Sequence, residues 1–412
     1  MIANYRRPLL CAFLTLAIAA SVLASCAQAG PFSVYLTYPG DPSTTITVNF
    51  QTSKQDRETE VYIDTVPRRG HKEAYARRVE GASTSIPGLP VPRTIHYATL
   101  DGLTADTTYF FIAGNDSAGF SREQSFRTIP AGDGPLRFVA GGDMDATRLT
   151  RKLLKVAARQ NPQFAIVGGD IAYANGDVKN YRKWDRWFAN WDRYMRTSEG
   201  HRVPIVAAIG NHETNKAESE EYAERAPFYH AYFGRQADAT YFDRTFGSLL
   251  ALVVLDSGHI ATHDGEQKTW LAEALARHVD VPYRFAVYHV PLYPSHRDFD
   301  GELSASGRTH WGPLFDEHRL TTAFENHDHT LKRTKLIKNN EVSPEGTLYL
   351  GDGSWGVKPR EVDKDRRWYE EFAAGKGHVW IVDVSAQGVT YRALGVRGKV
   401  LDSAETPAPS RP

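Results

Sequence analysis

Five short blocks of this 412-residue chain close apolar runs with residues that can hold hard metal ions. "GGDMD" supplies Asp143 and Asp145, "GGDIAY" supplies Asp170 and Tyr173, and "GNHE" supplies Asn211, His212 and Glu213. "VYHVPLY" supplies His289, and "ENHDH" supplies His327 and His329. Any one block has an ordinary explanation: Gly-Asp after a strand is a turn or a helix cap, and a lone histidine is a satisfied core or surface group. That explanation fails for five blocks in order, each at the end of an apolar run.

Two cations about 3.5–4 Å apart need one bridging carboxylate and several hard donors on each side. Asp, the Asn carbonyl, a Tyr phenolate and His nitrogen supply that set without sulfur. Sulfur is not on offer, because both cysteines, Cys11 and Cys26, fall near the N-terminus. The rest of the chain can form neither a disulfide nor a thiolate site.

The elements that must position these residues are legible as apolar strands alternating with helical stretches from Leu136 onward. "LRFVAGGD", "FAIVGGD", "PIVAAIGN", "LLALVVLDS", "RFAVYHV" and "GTLYLGDG" read as strands, and residues 148–159 and 267–278 as helices. This texture predicts an α/β sandwich over 136–400, with loops past the carboxyl ends of strands converging on one rim. Residues 31–128 read instead as all-β, with alternating segments between Gly, Pro and Asp turns and no helical periodicity. The stretch "HYATLDGLTADTTYFFIAGN" resembles the closing strands of a fibronectin type III-like sandwich. "IPAGDGP" at 129–135 is a linker, and the Pro/Ser-rich residues 401–412 are expected to be a disordered tail.

Net charge is zero, so no basic field points to nucleic acid or to an anionic membrane. The N-terminal residues 1–29 read as an export signal, with Arg6 and Arg7 before an apolar, alanine-rich stretch too short to span a membrane. Two processing readings compete. "LASC" resembles a bacterial lipobox that would leave Cys26 acylated, whereas "AQA" fits cleavage before Gly30. The arginine pair also resembles a twin-arginine signal. The expected location is periplasmic, secreted, or on the outer surface as a lipoprotein.

With these residues in view, 136–395 resembles the calcineurin-like metallophosphoesterases. Tyr173 narrows the resemblance to the purple acid phosphatases, whose pattern is Asp; Gly-Asp-x-x-Tyr; Gly-Asn-His-Glu/Asp; Val-x-x-His; Gly-His-x-His. The resemblance implies a metallophosphoesterase sandwich of two β-sheets flanked by helices, preceded by an immunoglobulin/fibronectin III-like domain. It implies a ferric site of Asp143, Asp170, Tyr173 and His329. It also implies a divalent site (Zn, Mn or Fe) of Asp170, Asn211, His289 and His327, bridged by Asp170.

Three departures stand out. Asn326 replaces the glycine before the first histidine of the last block, and is expected to occupy the left-handed backbone region that glycine would. "TLKR" follows, with Arg333 kept but no Tyr-Glu before it. Asp145 stands where these phosphatases carry Gly, either as an acceptor behind the ligands, as a third hard ligand, or as an exposed turn carboxylate.

The resemblance further implies hydrolysis of phosphate monoesters, small-molecule substrates, by a metal-bound hydroxide. His212 would face the phosphate and His296 would protonate the leaving group, with His310 as the fallback acid. A phosphodiesterase on the same metals is the nearest alternative. A surface binding protein that works through its β-sandwich is the alternative of a different class.

Overall fold

The computed structural model describes residues 30–409 apart from 54, 220 and 364. The leader at 1–29, with Cys11 and the lipidation candidate Cys26, lies outside the described residues.

Strands Leu136–Gly141, Phe164–Gly168 and Ile205–Ala208 run parallel, as do Leu250–Val254, Tyr283–Val287, Thr322–Phe324 and Thr347–Gly351 in a second sheet. Side-chain alternation explains why the sheets stack. Phe138, Phe164, Ile166, Phe285 and Phe324 point into the space between them, while Val139, Ala165, Val167 and Ala286 point outward under helices. Helices Arg148–Ala158 and Tyr181–Tyr194 cover the first sheet, and Gly265–Arg277 with Gly312–Glu317 cover the second. The inner layer is an aromatic stack, with Phe138 on Phe164 at 4.8 Å and Phe164 on Phe246 at 4.0 Å. Because the strands are parallel, their carboxyl ends (Gly141, Gly168, Ala208, Val287, Phe324 and Gly351) deliver their loops to one rim.

The N-terminal part is a β-sandwich. Phe32–Thr37, Ile46–Thr52, Thr94–Leu100 and Ala82–Thr84 make one face; Glu60–Asp64, Arg77–Glu80, Thr108–Asn115, Gly119–Phe120 and Gln124–Arg127 make the other. The sandwich is less separate than the linker at 129–135 suggests. Phe32–Thr37 pairs in parallel with Ile205–Ala208, Thr37 opposite Ile205, so ten strands form one continuous sheet across both parts. That join is a contact between distant segments, and no local pattern announces it.

The expected disordered tail is corrected: Val400–Pro407 is a strand, antiparallel to Gly388–Gly395. Arg333 holds it from the opposite sheet through two bonds to the Asp402 carboxylate, Nε at 2.7 Å and Nη2 at 3.0 Å. Ladder bonds and one bidentate ion pair order a segment whose composition alone reads as unstructured.

Candidate metal centre

The Asp170 carboxylate belongs to two groups of potential ligands. With His289 and His327 it offers atoms all within 4.8 Å of one another, and it does the same with Asp143 and His329. Asn211 joins the first group, its Oδ1 being 3.1 Å from His289 Nε2. Tyr173 joins the second, its hydroxyl lying 3.1 Å from Asp143 Oδ1 and 3.2 Å from His329 Nε2. His289 Nε2 and His327 Nδ1 approach to 3.0 Å. Asp143, Asp170 and His289 are fully buried. The donor set is thus all oxygen and imidazole, convergent and water-poor, and it fits two hard cations that share one carboxylate.

Backbone geometry aims these groups. Asp143, Asp170, Tyr173, His327 and His329 all have positive φ, from 51° to 73°. For residues other than glycine this costs about 1 kcal/mol each, and such strain persists where surroundings over-determine it. The turn after Phe164–Gly168 uses its two glycines differently. Gly169 takes φ 88°, while Gly168 must lack a Cβ because one would collide with the Asn326 amide.

Asn326 itself is a correction. It is absent from the left-handed residues, which are its neighbours His327 and His329. Its buried side chain instead fills the gap over Gly142 and Gly168, with Nδ2 donating to Tyr288 O at 2.9 Å.

Protonation follows from burial and neighbouring charge. His289 Nδ1 donates to Gly168 O at 2.9 Å, which frees Nε2 for a metal. Burial alone would lower its pKa, but the Asp170 and Asp143 charges push it up. His327 moves the opposite way, lowered by burial and then by His289. Burial, then His289, sets Asp170: burial opposes ionisation, yet the imidazole holds the carboxyl well below its ordinary range. Burial and the Asp143 charge raise the Tyr173 phenol, so it ionises only against a strong cation.

The remaining candidates fall at different distances from this centre. Glu213 lies directly behind Asp170, accepting the backbone N–H groups of Asp170, Ile171 and Gly210. His212, one third exposed, stacks on Tyr173 with ring centroids 4.1 Å apart, bonds Asn175 through Nδ1, and puts Nε2 3.7 Å from Asp170 Oδ2. Burial lowers its pKa, against the pull of Asp170. Asp145 sits outside both ligand groups and accepts the N–H of Ala146. His296 and the candidate ligand His327 line one cavity of about 540 Å³, together with Val290, Arg297 and Leu303. His310 ends helix Glu302–His310 beside His263 and Asp264, and Arg333 is committed to Asp402. Trp355, in the "GDGSWG" loop, is core.

Sequence reasoning missed His259. Its ring stands 5.6 Å from that of His289, and its backbone N–H binds Asp256. The signal was present, because "VVLDSGH" is a sixth apolar strand ending in a carboxylate and a histidine.

Comparison with known proteins bears on the whole arrangement. Residues 31–128 match the family model "Purple acid Phosphatase, N-terminal domain", and residues 136–331 match "Calcineurin-like phosphoesterase". The chain is 28% identical over 299 residues to purple acid phosphatase 23 of Arabidopsis thaliana, covering 65% of this chain and 64% of the plant protein. It is 26% identical over 283 residues to uncharacterized protein Rv2577 of Mycobacterium tuberculosis, covering 59% and 51%. The chain therefore matches between half and two thirds of the length of these relatives. A purple acid phosphatase from yellow lupin (Lupinus luteus) seeds superposes with a TM-score of 0.75 at 18% identity, over 92% of this chain and 74% of that one. PhoD superposes at 0.66 and 13% identity, over 92% and 89%. At such identities the two structures speak for fold.

Proposed function

Since the chain belongs to the purple acid phosphatase family of calcineurin-like phosphoesterases, we propose that it hydrolyses small phosphate monoesters at a dinuclear centre. The observation that carries this reading is the double membership of Asp170, with the Tyr173 phenol against Asp143 and His329 on one side only. The asymmetry suits Fe(III) on the tyrosine side, held by Asp143, Asp170, Tyr173 and His329. It suits a divalent ion held by Asp170, Asn211, His289 and His327. Two such cations supply Lewis acidity and lower the pKa of water.

The chain's own residues do the rest. His212 faces the mouth of the site, fixed by Asn175, and binds a phosphate oxygen. His296 donates Nδ1–H to Glu361 O at 2.9 Å, so Nε2 is the nitrogen that gains and loses a proton. As water adds to phosphorus and the ester P–O bond breaks, that Nε2 proton passes to the leaving oxygen; the water releases one proton to solvent, and Nε2 takes one back from solvent before the next turnover. The cavity beside His327 and His296 takes the leaving group. Its size also admits the second ester arm of a diester, which keeps a phosphodiesterase as the second reading. The proposal includes export through the leader, and the mass of the mature N-terminus separates acylation at Cys26 from cleavage before Gly30.

The test is metal analysis of purified protein with turnover of p-nitrophenyl phosphate and bis-p-nitrophenyl phosphate. Two metals per chain, one of them iron, and preference for the monoester are expected. Metal-loaded protein that turns over neither ester would sink the reading, and preference for the diester would replace it with the second one.

A further inference from the structure

Behind the metal centre lies a buried polar cluster that the reaction does not use directly. Lys332, fully buried, follows the ligand loop by three residues and donates to Glu325 Oε2 and to Tyr293 O. Its Nζ is also 3.1 Å from Asp352 Oδ2. Asp352 in turn accepts the Ser295 hydroxyl at 2.8 Å. Glu325 Oε1 accepts the Tyr288 hydroxyl at 2.8 Å and the N–H of Leu292 at 2.6 Å. Between the two ligand histidines, Asp328 Oδ2 accepts the N–H groups of His296 at 2.7 Å and Arg297 at 3.2 Å. From the outer side, Arg367 Nη1 and the Tyr369 hydroxyl both donate to Pro294 O.

Every residue from Tyr293 to Arg297 is therefore pinned, and most of the pins trace to Lys332 or to the loops it ties together. A buried ammonium among carboxylates costs several kcal/mol in desolvation and is a poor way to gain stability alone. Burial would lower its pKa, but Asp352 and Glu325 raise it, so the lysine is charged. What the cluster supplies is position. One cation joins the strand leaving the ligand loop, the "GDGSWG" loop and the loop that carries His296.

We propose that Lys332 is a positioning residue that fixes the His296 loop against the metal ligands, and so sets proton delivery to the leaving group. The proposal rests on the reading of His296 as the acid. It is tested in the full-length, metal-loaded protein with p-nitrophenyl phosphate, which needs little protonation on leaving, and glycerol 2-phosphate, which needs it. Lys332→Met/Glu325→Gln removes both charges of the pair together. Its metal content should stay at the wild-type level while the ratio of kcat for the alkyl over the nitrophenyl ester falls by about 10-fold, the order expected for a misplaced catalytic group. Ser295→Ala, a milder cut in the same network, should lower the ratio by about 3-fold.

A folded, metal-loaded double variant with the wild-type ratio overturns the proposal. If the double variant does not fold, an unchanged ratio in Ser295→Ala overturns it. His296→Ala separates the two levels. If it leaves the ratio untouched, the acid reading falls and the positioning role falls with it. If it lowers the ratio while the network variants do not, only the role of Lys332 falls.

Discussion

Glu213 Oε2 accepts the backbone N–H of Asp170 at 2.7 Å, and the same oxygen accepts that of Gly210 at 2.9 Å. The carboxylate shared by the two candidate ligand groups is thus oriented through its own main chain by an acid that belongs to neither group. Burial, followed by the Asp170 charge, pushes the Glu213 carboxyl up to about 8. Glu213→Gln replaces one acceptor by a donor facing an N–H. Metal affinity is expected to fall by about 10–100-fold with the fold kept, as for other groups behind metal ligands. Metal titration with circular dichroism checks this, and wild-type affinity in the variant would remove Glu213 from the role.

Asp170→Asn takes away a charge that both cations would share. Loss of both metals, or of nearly all turnover, is expected. Asp145→Asn should be mild, since Asp145 spends its carboxylate on the neighbouring Ala146 N–H. Metal content of the two variants decides. Equal loss in Asp145→Asn would make Asp145 a ligand.

Tyr173 carries the prediction of colour. A phenolate on Fe(III) absorbs visible light, so iron-loaded protein should be coloured and Tyr173→Phe should bleach it while keeping part of the iron. Absorption spectra at matched iron content are the measurement. A colourless iron-loaded wild type contradicts the ligand assignment.

Acid should weaken the sandwich through His96. Its ring is buried between the hydroxyls of Thr52, 3.0 Å from Nε2, and Thr59, 2.8 Å from Nδ1, and stacks on Phe50. Burial pulls its pKa down to about 4, against a weak opposing pull from Asp56. The unfolded chain takes up the proton below about pH 6.5, and the folded one only near 4. Between those values the unfolded state binds more protons, so stability falls as pH drops through the window, by at most about 1.4 kcal/mol per pH unit. His96→Gln should flatten the dependence of denaturation midpoint on pH. An unchanged slope would show that His96 does not carry it.

The convergence of the blocks was legible because strands that end in potential ligands, once paired in parallel, bring those ends to one rim. What escaped was nonlocal. Asn326 reads as a backbone choice, yet its amide is there to fill space over two glycines from other strands. Arg333 reads as part of the ligand block, but it reaches across to Asp402. Lys332 drew no reading from the sequence, and only the fold brings Glu325, Asp352 and the Tyr293 carbonyl around it. His259 stands three residues past the carboxylate that ends its strand, and only the fold shows that this turn brings its ring toward His289.

The pairing of Thr37 with Ile205 bears on how the protein can be taken apart. Ile205–Ala208 leads into Asn211, so the strand that delivers this candidate ligand has the sandwich as its neighbour on one side. A fragment beginning at Leu136 would bare that strand as an apolar edge, open to pairing with another chain. Dissecting the molecule at its linker is therefore expected to leave the C-terminal part with an unpaired strand next to its candidate metal site.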